Sequence, residues 1–482
     1  MKRTLIIMVT LMVLSTGLCL GGDCIAAGHP STEFYEGWRL GTQAYTFRLF
    51  TFYEAVDKAA QLGLDWIEMY PGQKICEEFG DAKTNVDMTP PQRRAVKEKL
   101  DSAGIRLVNF GVVGLGEDEQ ANRKVFEFAR NMGIETIVSE PPQECLDKID
   151  ELCKEYDINV AIHNHPQPSR YWNPEAVLEA CKGRSEYIGA CADIGHWCRS
   201  GVDPVEAVKM LEGRIISMHF KDINEFGVRK AHDVHWGNGV CKVDEVLETL
   251  NSQGFKGVFS IEYEHNWENS VPDVYECIQY FNKKASQINS SGWQYVFEPD
   301  LSNAAYKNKD AKWEYEMGVI KRLGGGDICT KEKYADFVLD FGFKTEKGSN
   351  SGVLLRTQNY NWTPWIEVQI LDSYGKDTPD KHDCGGIFDL LEPAQIAVNE
   401  PGRWNRMTIY AIDNRINVIL NGKTVTEMNL DLWSEAGKNP DGSENKFKET
   451  AFKDLPREGY LIFQDHGQEI SFRNIKILPL NK

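Results

Sequence analysis

The chain is 482 residues long, with 41% apolar residues and 12 tryptophans, ample material for two hydrophobic cores. Its formal charge of −18 argues against nucleic acid as a partner, because phosphates demand a basic surface. Past the first residues, no apolar run is long enough to span a bilayer.

The opening segment, "MKRTLIIMVTLMVLSTGLCLGGDCIAAG", has a basic start, an apolar stretch and then small residues. It is expected to be a secretory signal over residues 1–27. Cleavage near Ala26 or Ala27 and lipid attachment at Cys19 or Cys24 are alternative endings, although "TGL" and "GGD" fit a lipidation signal poorly. The mature chain is expected to be exported, periplasmic or lipid-anchored in the cell envelope. Ten cysteines remain without a Cys-x-x-Cys, and although export permits disulfides, no bridge is assigned.

From residue 37 to 288 short apolar runs alternate with helical stretches. The runs are "LGTQAYTF", "LDWIEMY", "IRLVNFGV", "IETIVSEP", "NVAIHNHP", "IGACADIGH", "IISMHFKD" and "GVFSIEYE". Between them, segments such as "PPQRRAVKEKLDSAG" and "EQANRKVFEFARNMG" join helical periodicity to a glycine stop. Eight strand–helix units in about 250 residues is the count of a closed parallel (β/α)8 barrel. An open doubly wound sheet is the rival, weakened by the absence of a Gly-x-Gly-x-x-Gly turn after the first strand.

"KKASQINSSGW" loses that rhythm and reads as a linker into a second domain over residues 289–482. There "YADFVLDFGFKT", "NSGVLLRTQ", "WIEVQILDS", "RWNRMTIYAI", "RINVILNGKTV", "GYLIFQDHG" and "ISFRNIKILPL" alternate between polar turns. "LNGK" is a hairpin signal. Strands without helices predict an all-β sandwich.

A parallel barrel places its active site where the strands end. Those ends carry Glu68, Glu140, His163 and His165, Asp193 and His196, His219 with Lys221 and Asp222, then Glu262 and Glu264. Mixed carboxylate and imidazole without thiolate suits a divalent cation, manganese first, with magnesium, cobalt or zinc as alternatives. The expected ligands are Glu140, Asp193, His219 and Glu262, with His163 as a fifth. For Glu140 a helix-capping carboxylate is the competing structural reading, and for the histidine pair a polar turn.

"ADIGHW", "HFKD", "HDVHWGNG" and the final "IEYE" resemble the motifs of xylose isomerase-like TIM barrels, which include sugar isomerases and epimerases. The resemblance covers residues 37–288. Many such epimerases carry Glu-Asn-His at the fifth strand end, whereas this chain reads His163-Asn164-His165 and places a glutamate in "VSEP". That departure resembles inosose dehydratases and the 3-keto-glycoside lyases and hydratases.

The second half is similar to the 3-keto-disaccharide hydrolases, a concanavalin-like sandwich. The similarity rests on "GGGDICTKEKYADFVLDFGF", "GSNSGVLLR", "IEVQILD", "GGIFDL", "GRWNRMTIYA" and "IFQDHGQEISFRNIKILPL". Its candidate polar residues are Asn350, Arg356, Glu367, Gln369, Asp372, Asp465 and His466, with Trp362 and Trp365 as sugar-stacking candidates.

Together the resemblances imply a metal-dependent enzyme acting on a sugar oxidised to a ketone. A carbonyl at C3 makes the C2 proton removable, so proton abstraction, β-elimination of the C1 substituent and hydration become accessible. His165, His196, Lys221 and His235 are the expected proton carriers, with Glu68 and Gln43 orienting hydroxyls. The alternative is a metal-dependent ketose isomerase or epimerase with a carbohydrate-binding sandwich. A non-catalytic binding protein is the reading from another class.

Overall fold

The computed structural model describes residues 35–289, 291–360 and 365–480. The expected signal segment, with Cys19 and Cys24, and the candidate Trp362 lie outside the described residues.

The eight apolar runs form eight parallel strands: β1 (Trp38–Gln43), β2 (Trp66–Met69), β3 (Arg106–Phe110), β4 (Thr136–Ser139), β5 (Asn159–His163), β6 (Ile188–Asp193), β7 (Ile215–Phe220) and β8 (Gly257–Ile261). Each pairs with its neighbours in sequence, and β8 pairs with β1 to close the barrel. Helix ends follow local chemistry. Thr51 and Thr89 form capping boxes with Glu54 and Gln92, while Gly104 and Gly133 end their helices in the left-handed region. The capped helices lay apolar faces on the strands, giving one core that includes Phe47, Phe110, Phe126, Phe220, Phe259 and Phe281.

The second half folds into two antiparallel sheets. Five strands, Ala304–Tyr306, Ile328–Thr330, Tyr460–Phe463, Asn350–Thr357 and Ile366–Leu371, lie in that order in the smaller sheet. The larger sheet is centred on Phe337–Thr345, flanked by Ile470–Pro479 and Trp404–Ile412. Phe341, Phe463 and Phe472 meet edge to face between the sheets. Asn421 and Gly422 in "LNGK" take φ of 50° and 75°, as a tight hairpin turn requires.

Part of the expected linker is helical, because Lys283–Ile288 completes the last barrel helix, Val271–Ile288. The halves also share a packed seam. Arg473 of the final strand donates from Nη1 to Ala60 O at 2.5 Å and from Nη2 to Ala103 O at 3.2 Å. Asn474 donates to Gly63 O at 2.6 Å. These carbonyls end the helices Phe52–Gln61 and Pro90–Ala103, where backbone acceptors lack intrahelical donors. Val338 and Tyr410 of the sandwich join the barrel core. The seam therefore ties the halves together more closely than a polar linker implies.

Arg473→Ala removes the side-chain donor from Ala103 O and one of the donors to Ala60 O, and is expected to cost about 1–3 kcal/mol. Urea unfolding of the whole chain measures it; an unchanged midpoint contradicts this role for the seam.

Candidate functional site

The barrel's register brings its polar strand ends to one level. His163 pairs with Cys191, Asp193 with His219, and His219 with Ser260. Glu140 follows β4 by one residue and Glu262 follows β8 by one.

Asp193 has two duties. Its Oδ1 accepts from His196 N at 2.7 Å, capping the short helix Ile194–Arg199, which leaves Oδ2 for other work. Asn164, between the two histidines, donates to Asp193 O at 2.9 Å and accepts from Asp193 N at 2.8 Å. The side chain of Asn164 thus fixes the neighbouring strand end. Gly195 is required by space: a Cβ there would lie 2.4 Å from Lys221 Cγ. This explains why the Asp-x-Gly-His and His-x-Lys-Asp signatures occur together.

His163 Nε2, Asp193 Oδ2 and His219 Nδ1 are buried and make no hydrogen bond. Ligating atoms of His163, Asp193, His196 and Glu262 all lie within 4.8 Å of one another, and so do those of Glu140, His163 and His165. His219 donates Nε2–H to Glu68 Oε1 at 2.9 Å, which in the neutral ring turns the Nδ1 lone pair toward Glu262 Oε2 at 3.2 Å. Two such acceptors facing each other require a proton or a cation between them. The donor set therefore fits a divalent ion. Three of the five expected ligands, His163, Asp193 and Glu262, gather at this point, with His219 Nδ1 beside Glu262 and Glu140 behind His163 at 3.3 Å. His196 joins them, although the sequence points to it only as a proton carrier.

Lys221 is fully buried and carries the counter-charge. Its Nζ lies 2.6 Å from Glu262 Oε2, 3.0 Å from Asp193 Oδ2 and 3.6 Å from Glu264 Oε1. The Asp193 contact is an ion pair without hydrogen-bond alignment. Burial alone would raise both carboxyls and lower the ammonium, but attraction wins: His196 and then Lys221 lower Asp193, Lys221 and then His219 lower Glu262, and the carboxylates raise Lys221. Asp193 and Glu262 are held well below the usual carboxylate range and Lys221 well above the usual lysine range.

The remaining barrel candidates divide. Glu140 Oε1 accepts from the His165 ring Nδ1 and from His165 N, the latter at 3.2 Å. Burial pushes the Glu140 carboxyl up, but the hydrogen bonds from His163 and His165 hold it well below its ordinary value. Arg199 donates to His196 Nδ1 at 3.0 Å and pairs with Asp233 at 2.8 Å. Desolvation first, then the neighbouring cations, keep His196 well below the usual imidazole range despite Asp193. Glu68 differs from expectation: it is fully buried and accepts from Gln43, Asn109, Ser260 and His219, so it orients His219 and not substrate. Gln43 is likewise spent on Glu68 and Gly111 O. His235 pairs with Asp273 at 2.8 Å. Asp222 accepts from Gly237, Gly239 and Cys241, holding the "HWGNG" loop. Arg199 and Asp233 escaped the sequence reading, although each lies inside or beside a quoted motif.

In the sandwich, Arg356 spends its guanidinium on Ala335 O, Ala411 O, Asp413 O and Asp336, a structural use. Asp465 caps a turn through Gly326 N, Gly467 N and Arg322. Asp372 accepts from Gly348 N, and His466 is exposed beyond the strand. Glu367, Gln369, Asn350 and Trp365 do come together. Trp365 Nε1 donates to Glu367 Oε2 at 3.2 Å, and Gln369 Nε2 donates to Asn350 Oδ1 at 2.9 Å.

Residues 56–283 match the family model of the xylose isomerase-like TIM barrel, and residues 292–478 that of the 3-keto-alpha-glucoside-1,2-lyase-like domain. The chain is a xylose isomerase-like barrel joined to a 3-keto-disaccharide hydrolase-type domain. A 3-keto-disaccharide hydrolase of Bacteroides thetaiotaomicron is 26% identical over 36% of this chain and 71% of its own length. An inosose isomerase of Halalkalibacterium halodurans is 24% identical over 42% of this chain and 78% of its own. A solved Parabacteroides distasonis structure, provisionally named a glycosyl hydrolase, is 38% identical over 39% of this chain and 99% of its own, with a TM-score of 0.37.

Replacing Lys221 by Met strands two buried carboxylates. In chelator this is expected to cost about 3–5 kcal/mol of stability, the scale for breaking a buried ion pair. Added manganese is expected to restore part of that loss by supplying the missing positive charge. Denaturation with and without the metal measures both; equal losses in the two conditions contradict a cation site beside Lys221.

Proposed function

We propose that this chain is an exported, metal-dependent enzyme that cleaves 3-keto-glycosides by removing the C2 proton, with β-elimination, hydration or both. The observation that carries the reading is the convergence of three buried, unbonded ligating atoms at the mouth of a barrel fused to a 3-keto-glucoside-type domain. His163, Asp193, His219 and Glu262 would hold the ion. Bound there, a divalent cation would act as Lewis acid on the keto oxygen and a neighbouring hydroxyl.

His165 and His196 have opposite tautomers. Ionised Glu140 accepts the hydrogen bond of His165 Nδ1–H, leaving the Nε2 lone pair of that ring as a base. Arg199, always a donor, occupies the lone pair of His196 Nδ1, so the neutral ring carries its proton on Nε2. The rings lie 5.5 Å apart between centroids. A base and an acid at one mouth suit abstraction of the C2 proton and protonation of the departing oxygen. Glu68 keeps His219 in the orientation that presents Nδ1, and Lys221 balances the carboxylates. The second reading is a ketose isomerase or epimerase, which would use the same proton removal and return the proton. The inosose isomerase similarity favours that reading for the barrel alone.

His165→Ala is expected to retain most of the metal and lose on the order of 100-fold or more in rate on a 3-keto-glucoside. His163→Ala is expected to weaken metal binding. Metal content measured beside turnover separates the two roles. If both variants keep metal and rate, the pair is only a polar turn.

A further inference from the structure

Three loops at the barrel mouth build an aromatic frame beside the cluster of ligating atoms. They follow β8, β1 and β2, which are neighbours around the barrel. Tyr45 lies in the short helix Ala44–Phe47 after β1, and Tyr70 follows β2 directly. Trp267 lies in the loop between β8 and the helix Val271–Ile288. The Tyr45 ring meets Tyr70 edge to face at 5.2 Å between centroids, and Trp267 at 5.7 Å.

Buried hydrogen bonds fix this frame. Thr46 Oγ1 donates to Ile261 O at 3.1 Å and accepts from Tyr263 N at 3.0 Å, which ties the β1 loop to the end of β8. Gln43 Oε1 accepts from Tyr45 N at 2.9 Å, while Gln43 Nε2 donates to Glu68, the carboxylate that orients His219. The frame is thus joined through Gln43 to the hydrogen bonds that arrange the candidate ligands.

Arg48 sits on this frame. Its guanidinium carbon lies 3.9 Å from the Trp267 ring centroid and 5.1 Å from that of Tyr45, and Nη1 donates to Tyr45 Oη at 2.6 Å. The residue is nevertheless exposed. Arg39, Arg123, Arg199 and Arg356 each hold a carboxylate. Among the described residues Arg48 has no ion-pair partner, and its Nε and Nη2 meet no acceptor. Burial, then Tyr45, push the Tyr70 phenol up to about 12 against the pull of the Arg48 charge, so Tyr70 offers no counter-charge.

Trp267 accounts for one face of the guanidinium and Tyr45 for one of its donors. The remaining edge has no protein partner. A planar fork held in advance presents two parallel donors that match a carboxylate. In a chain of formal charge −18, a fixed and unpaired cation at the mouth also reverses the prevailing field locally.

We propose that Arg48, held flat on Trp267 and tethered to Tyr45, is a specificity-determining residue that binds a carboxylate carried by the glycoside substrate. The inference rests on the glycoside-cleaving reading above. Nε and Nη2 donate to the two carboxylate oxygens. Leu49, 59% exposed beside Arg48, and the partly exposed Tyr45 and Tyr70 receive the apolar body of the substrate next to that anion. The aglycone or C6 of the sugar can carry the carboxylate. Arg48 and Trp267 lie beyond the strand ends that bear the ligating atoms, which favours the aglycone.

The test compares phenyl 3-keto-glucoside, its 4-carboxyphenyl counterpart and phenyl 3-keto-glucuronide on the manganese-loaded full chain, with turnover followed by NMR. Calorimetry on the three unoxidised parent glycosides scores binding without turnover. At least one carboxylated compound is expected to show a KM, and its parent a Kd, about tenfold below those of the phenyl compound. Raising salt from about 0.05 M to about 0.5 M is expected to erase most of that preference. Arg48→Met keeps an apolar stem on Trp267 and is expected to abolish the preference through KM, with kcat for the carboxylated compound spared. Arg48→Glu is expected to turn the preference against the carboxylate. Preference for the carboxyphenyl compound assigns the anion to the aglycone, and preference for the glucuronide assigns it to the sugar. If neither is preferred, or Arg48→Met keeps the preference, this inference falls, and turnover of the phenyl compound leaves the glycoside reading standing. If calorimetry shows the Arg48-dependent preference while no 3-keto compound reacts, that reading falls and the carboxylate site stands.

Discussion

One buried ammonium organises the barrel mouth. Lys221 has no exposed surface, and its three carboxylate neighbours come from β6 and from the segment after β8. Without that charge, Asp193 and Glu262 would face each other in a low-dielectric interior, where like charges drive one group to protonate. With it, both stay ionised and ready to ligate. The requirement propagates into sequence: Gly195 must lack a side chain so that Lys221 can pass, and Asp222 must anchor the following loop.

Around that charge, supporting hydrogen bonds fix which atom each ligand presents. Glu68 selects the Nδ1 face of His219, Glu140 selects the Nε2 face of His163, and Asn164 clamps the backbone of Asp193. Such outer partners commonly tune affinity as strongly as a ligand itself. The mouth is therefore preorganised by neutral or opposite-charge contacts from five different strands, while the sandwich is locked to the helix ends below Ala60 and Ala103. The cluster that could hold a metal is thus a property of the closed barrel as a whole.

Much of this was legible in the sequence because barrel strands alternate and end abruptly. All eight barrel strands, and strands in all seven quoted sandwich runs, fall where apolar alternation puts them, whereas the hairpin strands Lys312–Glu316 and Val319–Gly324 lie outside those runs. Short sandwich strands such as Ala304–Tyr306 and Ile328–Thr330 carry too few residues to show a period. Residue types marked the candidate ligands, but not who faces whom. Glu68 reads like any strand-end acid until four buried donors are seen around it. Arg356 reads like a sugar-binding arginine, yet it lies at φ 54° with its guanidinium buried among carbonyls.

The most direct measurement offers the manganese-loaded chain a 3-keto-glucoside and, separately, a free ketose, and follows both by NMR. The account predicts that the 3-keto-glucoside loses its C2 proton signal and releases its aglycone, while the free ketose is left unchanged. Epimerisation of the ketose with the 3-keto-glucoside untouched would contradict it.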